Sequence, residues 1–351
     1  MLSTMMDIPL SLTRILEYGA SVHGDTTVTT WHGEGTGSEF DPAEEVTFRD
    51  IAARAAAFAH AIHDELGITS DERVGSFMWN CAEHLEVMFG TACKGAIFAP
   101  LNKQLMNDQI RHIINHAEIS AIVCDPRLAQ QLGKVLVGTD SVGSVIITGA
   151  QPAQQFAHLF PRGVEVYSYE ALIDGRSTVY DWPELDERTA AALCYSTGTT
   201  GAPKGVLYSH RSLYLEAMQL RSSDSLCITH GETFLCCIPI CHVLSWGVPF
   251  TCFMTGTPLV LPDADVSAPT LAKAIAATSP RVAHGVPTIW IQLFVHYMHH
   301  PPERMTLTEI YAGGSPVPPT LIKMWEERYG VDVVHVLSLI HISEPTRLLS
   351  I

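Results

Sequence analysis

From about Glu72 onward the chain alternates short apolar, β-rich runs with amphipathic stretches. Residues 74–78, 96–100, 121–125 and 144–148 read as strands, with helices over 84–93, 107–116 and 128–137 between them. This rhythm predicts parallel pairing. Residues 151–189 are irregular, and a soft boundary falls near residue 185. A second series then sets strands at 191–195, 206–209, 233–238, 258–262, 282–284 and 309–312. Its helices cover 212–221, a stretch through Trp246, then 270–278, 288–298 and 319–328. Near-continuous apolar strands between helices indicate sheets covered on both faces. The expected organisation is α/β, with one subdomain over 1–185 and a second over 186–336.

Composition narrows the functional classes. The chain has 351 residues, 47% hydrophobic and 17% charged, which is globular and long enough for about two domains. Against 37 Asp and Glu stand 21 Lys and Arg, a net charge of −16, which argues against nucleic acid and against general attraction to anionic lipid. Nine cysteines form no regular framework and several sit in apolar runs, so they read as reduced core thiols in a cytoplasmic setting. Cys237, Cys241 and His242 lack a second ligand pair, and the 17 histidines are read as offering no i,i+4 metal face, so no zinc is assigned. The N-terminus has no basic stretch followed by an apolar segment. Residues 243–261 carry no charge, but Gly247, Pro249, Gly256 and Pro258 interrupt them, which favours a buried helix and strand over a membrane span.

The most informative segment is Tyr195-Ser-Thr-Gly-Thr-Thr-Gly-Ala-Pro-Lys-Gly205, directly after an apolar strand. Gly198, Gly201 and Gly205 let backbone N–H groups approach anionic oxygens, Ser196, Thr197, Thr199 and Thr200 add hydroxyls, and Lys204 adds positive charge. The loop suits phosphate. It is not the usual nucleotide P-loop, because Ala-Pro follows Gly201 where that motif requires Lys and Ser/Thr.

In this loop the sequence resembles the AMP-forming adenylating enzymes, which include acyl-CoA synthetases, luciferases and peptide-synthetase adenylation domains. The resemblance extends to Ile238-Pro-Ile-Cys-His242 with Trp246, to Gly285-Val-Pro-Thr-Ile-Trp290 and to Ala312-Gly-Gly-Ser-Pro316. Ser3-Thr-Met-Met-Asp7, Asn115-His-Ala-Glu118 and the His-x-x-x-Trp form look most like bacterial medium- and long-chain fatty acyl-CoA synthetases. The implied fold is the large N-terminal domain of that superfamily: two α/β subdomains with mainly parallel sheets and a partial β-barrel, without the mobile C-terminal domain.

The resemblance implies that a fatty carboxylate attacks the α-phosphate of ATP, giving acyl-AMP and pyrophosphate, and that CoA then takes the acyl group. It assigns ATP and phosphate to Ser196, Thr197, Gly198, Thr199, Thr200, Gly201, Lys204 and Gly205, with the Ser196 hydroxyl nearest Mg2+. His242 and Lys204 carry the catalytic role. The acyl-adenylate falls to His242, Val243, Trp246, Gly313, Gly314 and Ser315, with Trp246 one helical turn from His242 as a tunnel-gating indole. His284 and Trp290 also suit plain packing. A homodimer and peripheral membrane contact are further implications.

After Val336 the family's Thr and Mg2+-binding Glu segment should follow, but residues 337–351 read instead as a non-native tail, resembling a translated sequencing adapter. Glu344 is not taken as a Mg2+ ligand. The fragment is therefore expected to be nearly inactive by itself. An aryl- or short-chain acid-CoA ligase and a non-catalytic nucleotide- or acyl-binding fragment are the alternatives.

Overall fold

The structure, a computed structural model, describes residues 3–33, 42–196 and 203–336. Their strands run β1 (Thr27–Trp31), β2 (Ala43–Thr47), β3 (Arg73–Phe77), β4 (Ile97–Pro100), β5 (Ile119–Cys124), β6 (Ser144–Ile147) and β7 (Glu165–Ser168). Then come β8 (Ala190–Tyr195), β9 (Gly205–Ser209), β10 (Phe234–Cys236), β11 (Leu259–Leu261), β12 (Val282–Gly285), β13 (Glu309–Gly313) and β14 (Asp332–Val336). They form two seven-stranded sheets, in the orders β14-β13-β12-β10-β11-β1-β2 and β7-β6-β5-β3-β4-β8-β9. All neighbours pair parallel except β1 with β2 and β8 with β9, which are antiparallel edge pairs.

The α/β expectation matches these mixed sheets. No partial barrel appears among the described residues, since every described strand belongs to one of the two sheets. The sheets also cross the boundary expected near residue 185. Strand β8 pairs with β4 at Phe98 and Ala192, and β1 pairs with β11 at Val28 and Leu259. Local periodicity reports that a segment is a strand, whereas its partner depends on which apolar edge is still open after the chain has folded back. Four elements before residue 72 lay outside the alternating pattern: β1, β2 and the helices Leu12–Val22 and Phe48–Asp64.

Helix Phe48–Asp64 starts at a capping box, in which the Thr47 hydroxyl accepts from Asp50 N at 3.1 Å and Asp50 Oδ2 accepts from Thr47 N at 2.9 Å. Its alanines permit close approach to helix Ala82–Lys94. A Cβ on Gly90 would lie 2.7 Å from the Ala55 carbonyl oxygen. Helix Ala82–Lys94 is buried on nearly every side, and its Phe89 packs on Phe253, which stacks on Phe48 at 3.9 Å between ring centroids. The largest apolar cluster therefore contains residues attached to both sheets.

At the start of that helix Asn80 ties the sheets together. Its Nδ2 donates to the carbonyls of Ile238 at 2.8 Å and Cys236 at 3.3 Å, and its Oδ1 accepts from Ile240 N at 3.1 Å. Its own carbonyl accepts from Asp263 N. A second tie is ionic: Arg127 reaches both Asp125 and Asp263, and His32 Nδ1 lies 3.0 Å from Asp263.

His84, His210 and His284 are buried. Burial lowers their pKa values from 6.5, to about 3 for His84 and about 4 for the other two. Folding thus excludes protons that the unfolded chain binds, so stability is full above about pH 6.5 and falls as the pH drops toward 4. Urea midpoints measured across this range are expected to decline with acid; a flat profile would contradict these neutral histidines.

Candidate functional site

The ends of β8, β10, β12 and β13 supply the segments that the sequence singled out. In parallel sheets the carboxyl ends of strands are where loops meet a ligand. Thr197, Gly198, Thr199, Thr200 and Gly201 lie outside the described residues, but the neck of their loop is described. Ser196 N donates to Lys204 O at 2.9 Å, and Lys204 N donates to the Ser196 hydroxyl at 3.3 Å. Tyr195 pairs with Gly205 in the β8–β9 ladder, where a Cβ on Gly205 would press on Leu193 and Tyr195 at 3.1–3.4 Å. Lys204 is exposed at this neck.

Beyond β10, His242 enters a turn, Val243–Trp246, that corrects one expectation. Val243, Leu244, Ser245 and Trp246 have φ of 47–56°, so the turn is left-handed and His242 and Trp246 do not share the face of a right-handed helix. Gly247 and the right-handed helix Val248–Thr255 follow. Left-handed backbone costs roughly 1–2 kcal/mol per non-glycine residue, so the surrounding contacts must hold it. They are visible. The Ser245 hydroxyl donates to Ile238 O at 2.6 Å, and His284 Nε2 donates to Ser245 O at 3.2 Å. His284 Nδ1 is then free to accept from Ile238 N at 3.4 Å, as a neutral ring can. His284 is a packing and positioning residue for the turn.

The same turn meets both neighbouring segments. Cys194 at the end of β8 is buried beside Cys241 and this turn, and burial pushes its thiol up to about 12. Trp246 packs edge-on against His284 with ring centroids 5.2 Å apart. A Cβ on Gly313 would sit 2.9 Å from the Trp246 ring and 2.6 Å from the Val336 carbonyl oxygen, so only glycine fits there. Gly314 has φ +81°, and Gly314 and Ser315 are exposed after β13. The structure thus brings Ser196, the His242–Trp246 turn and Gly313 to one end of the sheets, while Trp290 packs in the core against the sheet that holds β10 to β14.

His242 is half-buried, and burial, then the Lys103 ammonium, lower its pKa below the ordinary 6.5. The imidazole is neutral near pH 7. Sequence reasoning passed over Lys103 and Asn80. The available signal was position: Lys103 follows an apolar strand after Pro100-Leu-Asn102, and Asn80 stands between a strand and a buried helix.

Among the described residues no group of three or more His, Cys, Asp or Glu is arranged for a metal. Two histidine pairs do fall at i,i+4, contrary to expectation: the rings of His112 and His116 lie 5.7 Å apart, and those of His296 and His300 lie 4.9 Å apart. Neither pair has a third metal ligand among the described residues. The described thiols are free and all but Cys227 are buried. No described helix is long and apolar enough to cross a membrane.

Residues 16–338 match the AMP-binding enzyme family, and the chain belongs to it. It is 32% identical over 343 residues to a 3-methylmercaptopropionyl-CoA ligase of Ruegeria lacuscaerulensis, covering 98% of this chain and 62% of that protein. It is 31% identical to a medium-chain-fatty-acid–CoA ligase of Ectopseudomonas oleovorans, covering 98% and 61%. The fold matches the crystal structure of a long-chain-fatty-acid-CoA ligase from Archaeoglobus fulgidus with a TM-score of 0.78 at 21% identity, covering 97% of this chain and 67% of that one. The chain therefore spans about three fifths of the length of these curated relatives.

Two variants test this geometry. Gly313→Ala is expected to lower unfolding free energy by roughly 1–3 kcal/mol, because the Val336 carbonyl cannot retreat without loosening the β13–β14 ladder. Asn80→Ala should cost about 2–3 kcal/mol by leaving the buried amide of Ile240 unpaired. Wild-type stability in urea for either variant would contradict the contact it removes.

Proposed function

We propose that the complete protein is an AMP-forming fatty acid–CoA ligase, using ATP, CoA and Mg2+. The observation that carries this reading is the convergence of the loop neck at Ser196, the strained turn bearing His242 and Trp246, and the side-chain-free Gly313, in a chain of the AMP-binding family. The medium-chain relative and the apolar helix Val248–Thr255 behind Trp246 support a fatty acyl chain.

In this reading the carboxylate oxygen attacks the α-phosphorus, the bond to pyrophosphate breaks, and the CoA thiol then takes the acyl carbon with AMP leaving. Lys204 and the backbone N–H groups of the glycine-rich loop neutralise phosphate oxygens as charge moves toward pyrophosphate. His242, neutral, donates an N–H to the oxygens at the reacting centre. Trp246 and Val243 bound the acyl side, and Gly313, Gly314 and Ser315 leave room for the adenylate. The Ser196 hydroxyl would hold Mg2+, a hard cation that favours oxygen donors. When bound, the ion supplies charge neutralisation on the phosphates. The left-handed turn is consistent with strain held at a reacting centre.

The test is pyrophosphate release by the complete gene product with ATP, Mg2+ and fatty acids of graded length, with and without CoA. Release that requires fatty acid, and acyl-CoA formed when CoA is present, is the expected result. His242→Ala should lower kcat by about 10²–10³. Ligand-induced stabilisation without pyrophosphate would replace the ligase by a binding protein, and preference for benzoates over alkyl acids would make it an aryl acid ligase.

A further inference from the structure

Lys103 follows β4 and is 8% exposed. Its ammonium donates to the Met78 carbonyl at 3.1 Å and stands 4.0 Å from the centroid of the Trp79 ring. No carboxylate pairs with it among the described residues. The two carboxylates that act on it, Asp125 and Asp263, are already engaged: Arg127 holds them at 2.6 and 2.7 Å, and His32 takes Asp263 as well. A buried charge with no counter-ion is costly to the folded state, and burial accordingly lowers the Lys103 pKa.

That charge has a direction. The ammonium is tied to Met78, two residues before Asn80, whose Oδ1 accepts from Ile240 N at 3.1 Å, so it sits at the bracket that delivers His242 and acts on that ring. The phosphate end of the site has its own cation in Lys204 and its own amides, whereas the His242 end has a neutral ring and no other cation among the groups that shift it. Among the described residues Lys103 is the cation that acts at the His242 end.

We propose that Lys103 is the cation that receives the carboxylate of the acid substrate beside His242. The inference deepens the ligase reading and rests on it. Lys103 is unmatched in the unliganded chain because its counter-ion arrives with the substrate, and its burial against the face of Trp79 makes that one ion pair strong.

The variants Lys103→Gln, which keeps a donor for the Met78 carbonyl, and Lys103→Met test this on the present chain. Without ligand both are expected to melt at or above wild type, since each removes an unmatched buried charge. Titrated with dodecanoate, both should bind roughly ten- to hundredfold more weakly than wild type, while methyl dodecanoate, which lacks the carboxylate, and Mg-ATP bind as before. Undiminished dodecanoate binding overturns the assignment, and so does a variant that melts well below wild type, which would make the charge structural. Loss of Mg-ATP binding with dodecanoate retained would assign Lys103 to phosphate instead and overturn it too. A wild-type chain that binds neither dodecanoate nor Mg-ATP defeats the ligase reading itself, and the inference falls with it.

Discussion

The burial of one helix, Ala82–Lys94, organises the rest of the molecule. It lies against helix Phe48–Asp64 closely enough that Gly90 admits no side chain, and its Phe89 meets Phe253 from the far side of the core. A helix enclosed in this way has no freedom to slide without opening voids in a close-packed interior. Its first residues are therefore fixed in space, and Asn80, just before it, becomes a rigid bracket. The carboxamide holds the backbone on both sides of Pro239 and so places the segment that delivers His242.

The site is built from groups that are individually unfavourable. Four consecutive non-glycine residues take left-handed backbone, a histidine is buried neutral at His284, and an ammonium is buried without a carboxylate at Lys103. Each is sustained by neighbours that cannot yield: Ser245 bonded to Ile238 O, His284 wedged beneath the turn, Lys103 over Trp79. Cost of this kind is tolerated where geometry must be set before a ligand arrives. The surrounding core, continuous between the two sheets, supplies the stability against which it is set.

Much of this was legible in the sequence. The strands and helices after residue 72 follow from apolar periodicity, and the glycine- and hydroxyl-rich run at 195–205 stands out as a loop suited to phosphate through residue type alone. Other features were not. The turn at Val243–Trp246 looks like the start of an ordinary helix, because Val-Leu-Ser-Trp gives no hint of positive φ; the left-handed form is imposed by bonds to Ile238 and His284, far away in sequence. Strands β8 and β9 read as the opening of a second subdomain, yet the open edge of β4 captures them.

The sequence by itself determined the family, the α/β class and the composition of the loop and turn, because those depend on local periodicity and on short motifs whose chemistry sits in adjacent residues. Tertiary structure decided which strands share a sheet, the hand of the turn, the contact of Trp246 with Gly313 and the setting of Lys103. Those depend on groups as far apart as Asn80 and Ile240, or Lys103 and His242. Their meeting is fixed by the packing of a core that no local stretch of the chain contains.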